Sequence, residues 1–238
     1  MTSQHLFTEI RDFCEQNADE AIVKKYARYF KEGYDAYGVT RELLESKAKE
    51  LVQDDSVDLH LVLETGRLLL ATGKLEETSF AIYLLYSFKN EFDKSILHEL
   101  DKWFSIGIDN WAHTDGICGY IFRELFRKQI IIYKDLSAWR SSPRKYQRRA
   151  VPVAMIEIFR AKGDFEGLLD FIDPLMIDQE RVVHQGLGWF LREAWKRYPE
   201  PVEEFLLKWK DSSARLIFQY ATEKMSKEYR ERFRRSKK

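Results

Sequence analysis

Asp115 follows Trp111 by one helical turn in the segment Trp111-Ala112-His113-Thr114-Asp115. At that spacing a carboxylate and an indole share one helix face. An Asp in a helix interior is costly when buried unless it is paired or put to use. Asp115 therefore reads either as a scaffold partner, capping a neighbouring element or pairing with an Arg, or as a working carboxylate. A second group lies in Arg140-Ser141-Ser142-Pro143-Arg144-Lys145-Tyr146-Gln147-Arg148-Arg149. Arg140, Arg144, Lys145, Arg148 and Arg149 supply charge, while Ser141, Ser142 and a helix start supply donors, which together make a phosphate clamp; the plainer reading is a solvated basic face. One of Arg148 and Arg149 is expected to face the concave groove and the other to brace the scaffold. The third group is Gly186-Leu187-Gly188-Trp189-Phe190-Leu191-Arg192-Glu193. Two helical glycines cost about 1 kcal/mol each against Ala, so they signal close packing or the close approach of something large. Trp189 is then core or contact surface. The fourth is Tyr26-Ala27-Arg28-Tyr29-Phe30-Lys31, where core packing is the simpler account of Tyr26 and Phe30.

Long helices must carry these groups. Only 11 Gly and 5 Pro punctuate 238 residues, and no sustained two-residue alternation occurs. Leu75, Phe80, Ile82, Tyr83, Leu84, Leu85 and Phe88 are dense enough for a helix buried on most sides. Thr40 predicts the N-cap of a helix over about 40–53, and Asp109 or Asn110 that of a helix over about 110–127. Pro143 suits the first turn of a helix over about 143–161, which Pro152 should kink. Gly38, Gly73, Gly107 and Gly163 mark helix ends, and Asp211-Ser212-Ser213 marks a break.

Read in pairs, the helices repeat. Leu100-x2-Trp103, Leu136-x2-Trp139, Leu168-x2-Phe171 and Leu206-x2-Trp209 place aromatic rings 36, 32 and 38 residues apart. The second helices end near Phe126, Phe159 and Trp195, spaced 33 and 36. A degenerate period of helical hairpins is the signature of an α-solenoid. The expected architecture is all-α, one domain over 1–238, with a concave face on which Asp115, Arg148 or Arg149, and Trp189 occupy equivalent positions of successive repeats.

Composition sets the setting. Lys+Arg and Asp+Glu number 39 each, so the net charge is zero, which taken alone disfavours nucleic acid. The charge is segregated, however. Residues 1–60 carry 8 Lys/Arg against 13 Asp/Glu, residues 122–162 carry 11 against 3, and residues 223–238 carry 8 against 3. The tail basics read first as a solvated, frayed end and otherwise as phosphate contacts. The longest apolar run, Phe80 to Tyr86, is far short of the ~18 residues of a membrane span. The first residues lack the pattern of a signal peptide. Cys14 and Cys118 make neither a disulfide framework nor a Cys-rich zinc site. The expectation is a monomer in a reducing, cytoplasmic setting, with no metal and no cofactor. His113 is expected to be structural or solvent-facing, two residues off the face of Trp111 and Asp115.

Four segments resemble the AlkD-like DNA alkylation repair family: Ala27-Arg28-Tyr29-Phe30-Lys31 with Gly38, Trp111-x3-Asp115, Gln147-Arg148-Arg149-Ala150, and Gly188-Trp189-x-Leu191-Arg192-Glu193. Each is short, but their order and spacing hold from about residue 20 to 220. The resemblance implies HEAT-like repeats. It also implies a DNA glycosylase that excises positively charged N3- and N7-alkylpurines, such as 3-methyladenine and 7-methylguanine, from double-stranded DNA, working at the nucleoid. It puts Trp111, Asp115 and Trp189 around the lesion, Arg149 on the groove and Tyr29 as the N-terminal aromatic. Arg148, Arg144, Lys145 and Tyr146 join the DNA contacts. It further implies that the lesion is engaged from the backbone side with little enclosure. Tyr146, where a relative has Trp, and Pro152 depart from the pattern. The alternatives are a helical-repeat binder of damaged or branched DNA without excision, and a protein-binding helical scaffold.

The residue set suits the implied chemistry. Glycoside hydrolysis ordinarily needs two carboxylates, one of them to protonate the leaving group. An alkylated purine already carries positive charge and leaves without an acid. One ionised Asp can stabilise the oxocarbenium-like sugar and accept a proton from water. Indole faces add roughly 0.5–2 kcal/mol of cation–π attraction for a charged base. No lysine nucleophile is called for, so strand cleavage is not expected.

Overall fold

The computed structural model describes residues 1–160, 165 and 167–236 of the chain. It is helical throughout, with no strand among the described residues. Two compact units divide it, Met1–Leu125 and Phe126–Lys238. Among the described residues, no helix is long and apolar enough to cross a membrane.

The first unit runs α1 (Ser3–Gln16), α2 (Glu20–Ala27), α3 (Arg41–Leu51), α4 (Leu59–Ala71), α5 (Leu75–Ser87), α6 (Ser95–Ile106) and α7 (Trp111–Ile117). Short polar side chains start most of these helices by accepting orphan backbone N–H groups: Thr2 accepts from His5, Asp19 from Ala21 and Ile22, Asp58 from Leu61, and Asn110 from His113. Thr40 sits at the N-cap of α3 but makes no side-chain cap bond, in keeping with Leu43 where a capping box has Glu or Gln. The density of apolar residues in 75–88 is explained by α5, which packs against α1, α3, α4 and α7 and buries Phe80, Ala81, Ile82, Leu84 and Leu85. Past Ile117 the chain makes a π turn over Cys118–Phe122 and continues as α8 (Arg123–Arg127). Cys14 and Cys118 are buried and belong to no disulfide; burial, with Glu76 and Glu77 nearby, pushes the Cys14 thiol up to about 12.

The second unit repeats a hairpin. A 3-10 helix (Tyr133–Ser141) pairs with α9 (Lys145–Arg160), and α10 (Leu168–Ile172) with the 3-10 turn Asp173–Ile177 precedes α11 (Arg181–Trp195). Next, α12 (Pro199–Trp209) leads to α13 (Arg215–Ala221), and α14 (Lys227–Arg230) and a 3-10 turn (Glu231–Phe233) follow. The second helices pack side by side, α11 against α9 on one flank and α13 on the other. Leu136 and Trp139, and Leu168 and Phe171, are buried on the opposing elements.

Some local expectations are corrected. Residues 133–141 form a 3-10 helix and not an α-helix. Pro143 lies outside α9, which starts at Lys145. Pro152 lies inside it. Gly73 follows α4 with φ of 74°, and Gly107 caps α6. Gly38 ends no helix: it lies in the segment before α3 at φ of 88°, and a Cβ there would run into the Asp19 carbonyl oxygen. Gly163 lies outside the described residues.

Gly186 and Gly188 are packing glycines. A Cβ on Gly186 would stand 3.3 Å from Arg149 Cγ in α9; one on Gly188 would collide with Tyr220 Cβ and stand 2.7 Å from the Ile217 carbonyl oxygen in α13. The atoms facing Gly188 are backbone or next to it and cannot swing away. Gly188→Ala is therefore expected to wedge α11 from α13 and to cost about 2 kcal/mol, within the range for overpacked cores. Thermal unfolding should fall by several degrees. Gly119→Ala is the control, since a Cβ there meets nothing within 4 Å, and it should leave the midpoint level or higher.

Candidate functional site

One candidate site, aromatic and acidic, lies in the first unit. Asn110 opens α7: its side-chain oxygen accepts from the His113 backbone N–H at 3.0 Å. Trp111 then projects to solvent at 38% exposure, and Asp115, one turn on, is half-buried. Trp111 is held from behind. Its ring stacks on Phe30 (5.4 Å between centroids), and Phe30 stacks on Tyr34 (4.6 Å), giving a three-ring column. The indole N–H donates to the Tyr29 carbonyl at 3.2 Å. Tyr29 itself is 52% exposed, with the Arg28 guanidinium over its ring and donating to its hydroxyl at 2.9 Å. Phe30 thus serves the column rather than a distant core.

The segment that carries these rings has no helix of its own beyond Ala27 until α3. The first turn of α5 holds it. Leu75 N–H donates to the Asp35 carbonyl (2.8 Å), and Lys74 pairs with the Asp35 carboxylate (2.5 Å). The buried Glu76 carboxylate accepts from the backbone N–H groups of Tyr37 (2.9 Å), Gly38 (2.8 Å) and Val39 (3.2 Å). Glu77 accepts from the Tyr37 hydroxyl (2.7 Å) and pairs with Arg11 (3.1 Å). The same turn holds α7, because His113 Nε2 lies 2.9 Å from the Leu75 carbonyl oxygen. A carbonyl only accepts, so Nε2 carries the proton, and Nδ1 accepts from the Asn110 amide at 2.8 Å. One turn of α5 therefore fixes both Trp111 and the rings stacked behind it. Glu76 and Glu77 went unremarked in the sequence, although two adjacent carboxylates in an otherwise apolar helix were the available signal.

Burial drives the His113 pKa from 6.5 down to about 4, against the bond to the Leu75 carbonyl, which favours the charged form. The unfolded chain takes up its proton near 6.5 and the folded chain only near 4, so between those values the unfolded state binds more protons. Stability contributed by neutral His113 is full above pH 6.5 and is lost as pH falls to 4, by about 3 kcal/mol in all. Urea unfolding at pH 7, 5.5 and 4.5 measures it. His113→Gln should be weaker at pH 7 and show a flatter pH dependence; an unchanged slope would refute the assignment.

The basic cluster singled out in the sequence lies in the second unit, and most of it is committed to the scaffold. Arg148 pairs with Asp178 (2.6 Å) and donates to the Ser142 carbonyl (2.7 Å). Arg149 is only 5% exposed and donates to the Val182 carbonyl at 2.8 Å. Neither arginine stands open at the surface, whereas one was expected to face the concave groove. Arg140 lies over Phe171 and donates to its carbonyl. Ser142 is buried and donates to Gln147 at 2.5 Å, so that hydroxyl is not a phosphate donor. Tyr146 is buried at 6% exposure, with Lys145 over its ring. Arg144 is exposed, Lys145 is half-buried, and Trp189 is half-buried on α11.

Helical hairpins with a stacked indole and a carboxylate on one short helix define an all-helical repeat protein with an aromatic, acidic surface site. Solved structures share that fold. A predicted DNA alkylation repair enzyme from Enterococcus faecalis superposes with a TM-score of 0.75 at 15% identity, over 89% of this chain and 98% of the other. AlkD2 from Streptococcus mutans gives 0.58 at 20% identity, over 87% and 99%. No curated protein matches the chain. The model of the DNA alkylation repair enzyme family matches residues 10–225, and the chain belongs to that family.

Proposed function

We propose that the protein is a monofunctional DNA glycosylase that hydrolyses the N-glycosidic bond of cationic N3- and N7-alkylpurines in double-stranded DNA. The observation that carries this reading is the pairing, on α7, of an exposed Trp111 backed by its ring column with a half-buried Asp115 one turn away. Asp115 places negative charge where the sugar becomes positive and takes the proton of the attacking water. Trp111 offers an indole face to a cation. Tyr29 and Trp189 are proposed as aromatic DNA contacts, and Arg144 and Lys145 as phosphate contacts. Family membership supports a role in DNA alkylation repair. The test is release of free 7-methylguanine and 3-methyladenine from methylated duplex DNA, leaving abasic sites and intact strands. Absence of release refutes the proposal.

A further inference from the structure

The basic tail does not fray over the described residues. Phe233 is buried at 1% exposure, Arg215 on α13 donates to its carbonyl (2.9 Å), Arg235 donates to the Ser213 carbonyl (3.0 Å), and the Ser236 N–H donates to Asp211 (2.7 Å). Docking the tail in this way forms a half-open pocket of about 220 Å³ lined by Arg215, Gln219, Thr222, Arg230, Phe233 and Arg234. It is smaller than the roughly 300–1,000 Å³ of sites for drug-sized ligands.

We propose that this three-arginine cavity binds a phosphate group. Three arginines line it, Arg215 half-buried and Arg230 and Arg234 exposed, and its lining contains no carboxylate. Arg234 pairs with Glu231 (2.6 Å). Among the described residues, Arg230 donates to the carbonyls of Met225 and Glu223, each at 3.0 Å. Half-buried Arg215 has the Phe233 carbonyl and the Phe218 ring as its neighbours. Among the described residues, neither Arg215 nor Arg230 has an ion-pair partner. Guanidinium carries five donors in a planar fork, so both keep donors for a ligand. Burial, with Arg235 and Arg234 close by, pulls the Arg215 pKa below its ordinary value. The fold therefore gathers like charges at a cost that a bound anion removes. Forked, multiply charged donors suit a phosphate better than a singly charged carboxylate.

The phosphate can come from a DNA backbone or from a free phosphate species; only the DNA source rests on the function proposed above. Two measurements on the full chain separate them, comparing wild type with Arg230→Gln, Arg234→Gln and the double variant. Arg215→Gln is a companion whose missing bond to Phe233 could itself loosen the tail. The first measurement is the thermal midpoint against inorganic phosphate at constant ionic strength. General stabilisation by phosphate is common to all the proteins, so the difference between them reads the site. A free-phosphate site gives a larger upward shift in wild type than in the double variant. The second is affinity for undamaged duplex DNA against KCl concentration. A backbone phosphate site lowers the log–log slope by about 0.9 for each phosphate that the variant no longer neutralises. Either difference supports the site. Wild-type phosphate shifts together with a wild-type salt slope in the double variant would overturn it. Base release from methylated DNA, measured in parallel, tests the glycosylase reading separately.

Discussion

Asp115→Asn is expected to reduce release of 7-methylguanine from methylated duplex DNA by about 100-fold or more, while duplex binding stays the same or tightens slightly. Removing one group aimed at developing charge typically costs about 10²–10³ in rate, and a factor of 100 is about 2.7 kcal/mol of transition-state stabilisation. Asn matches Asp in size and can still hydrogen-bond to water. It cannot oppose the positive charge of the sugar or accept the proton that water must give up. The substitution therefore separates charge from shape. Binding should not suffer, because a carboxylate beside a phosphate backbone is repelled. The comparison needs single-turnover rates at saturating protein alongside the affinity for the same duplex. Equal release by the Asn variant would remove Asp115 from the reaction. Trp111→Leu, which keeps bulk and loses the indole face, should slow release less than Asp115→Asn does.

The second large effect is on the scaffold. Glu76→Ala should destabilise the protein by about 3–5 kcal/mol, since hydrogen bonds to a charged group contribute about 1.5–3 kcal/mol each and an orphaned buried donor costs about 1–3 kcal/mol. The Glu76 side chain is almost inaccessible and serves three successive N–H groups, those of Tyr37, Gly38 and Val39. No other side chain replaces it without entering the same space. Gln retains an amide oxygen but adds two donors facing donors, so Glu76→Gln should recover only part of the loss. Hydrogen exchange distinguishes this from general weakening: the amides of Gly38 and Val39, which Glu76 accepts from, should exchange faster in the variants than the backbone of α4. Uniform acceleration across the unit would contradict the local role. Release of alkylated base should fall along with it, because the rings of Tyr29, Phe30 and Tyr34 lie on the segment that Glu76 anchors.

The helices were legible where the signal is local. Apolar density marked α5, Asn110 marked the start of α7, and Asp211-Ser212-Ser213 marked the break between α12 and α13. The Leu-x2-aromatic spacing located the first element of each hairpin. It could not separate an α-helix from the 3-10 helix at Tyr133–Ser141, because both put residues i and i+3 near one another. Trp111 and Asp115 could be placed on α7 from spacing alone. The fate of Arg148 and Arg149 could not, because Asp178 and the Val182 carbonyl, which engage them, are distant in sequence. Phe30 shows the same limit: its type suggested core, and only the folded chain puts Trp111 against it.

The π turn at Cys118–Phe122 has a bearing on how this helix tolerates change. An α-helix advances about 100° per residue, and a single π turn accommodates one extra residue without breaking the rod. The stretch before it and the stretch after it are thus out of phase by about one residue. Trp111 and Asp115 keep the azimuth set by the bond of His113 to the Leu75 carbonyl, whereas Leu125, past the turn, keeps the azimuth that buries it. The turn acts as a vernier, letting the face that carries Trp111 and the buried face past it be set independently on one continuous axis. Shortening it by a residue would force a choice between them. A comparison that assumes an unbroken helical phase from Trp111 to Leu125 would misplace the later side chains by about 100° around the axis.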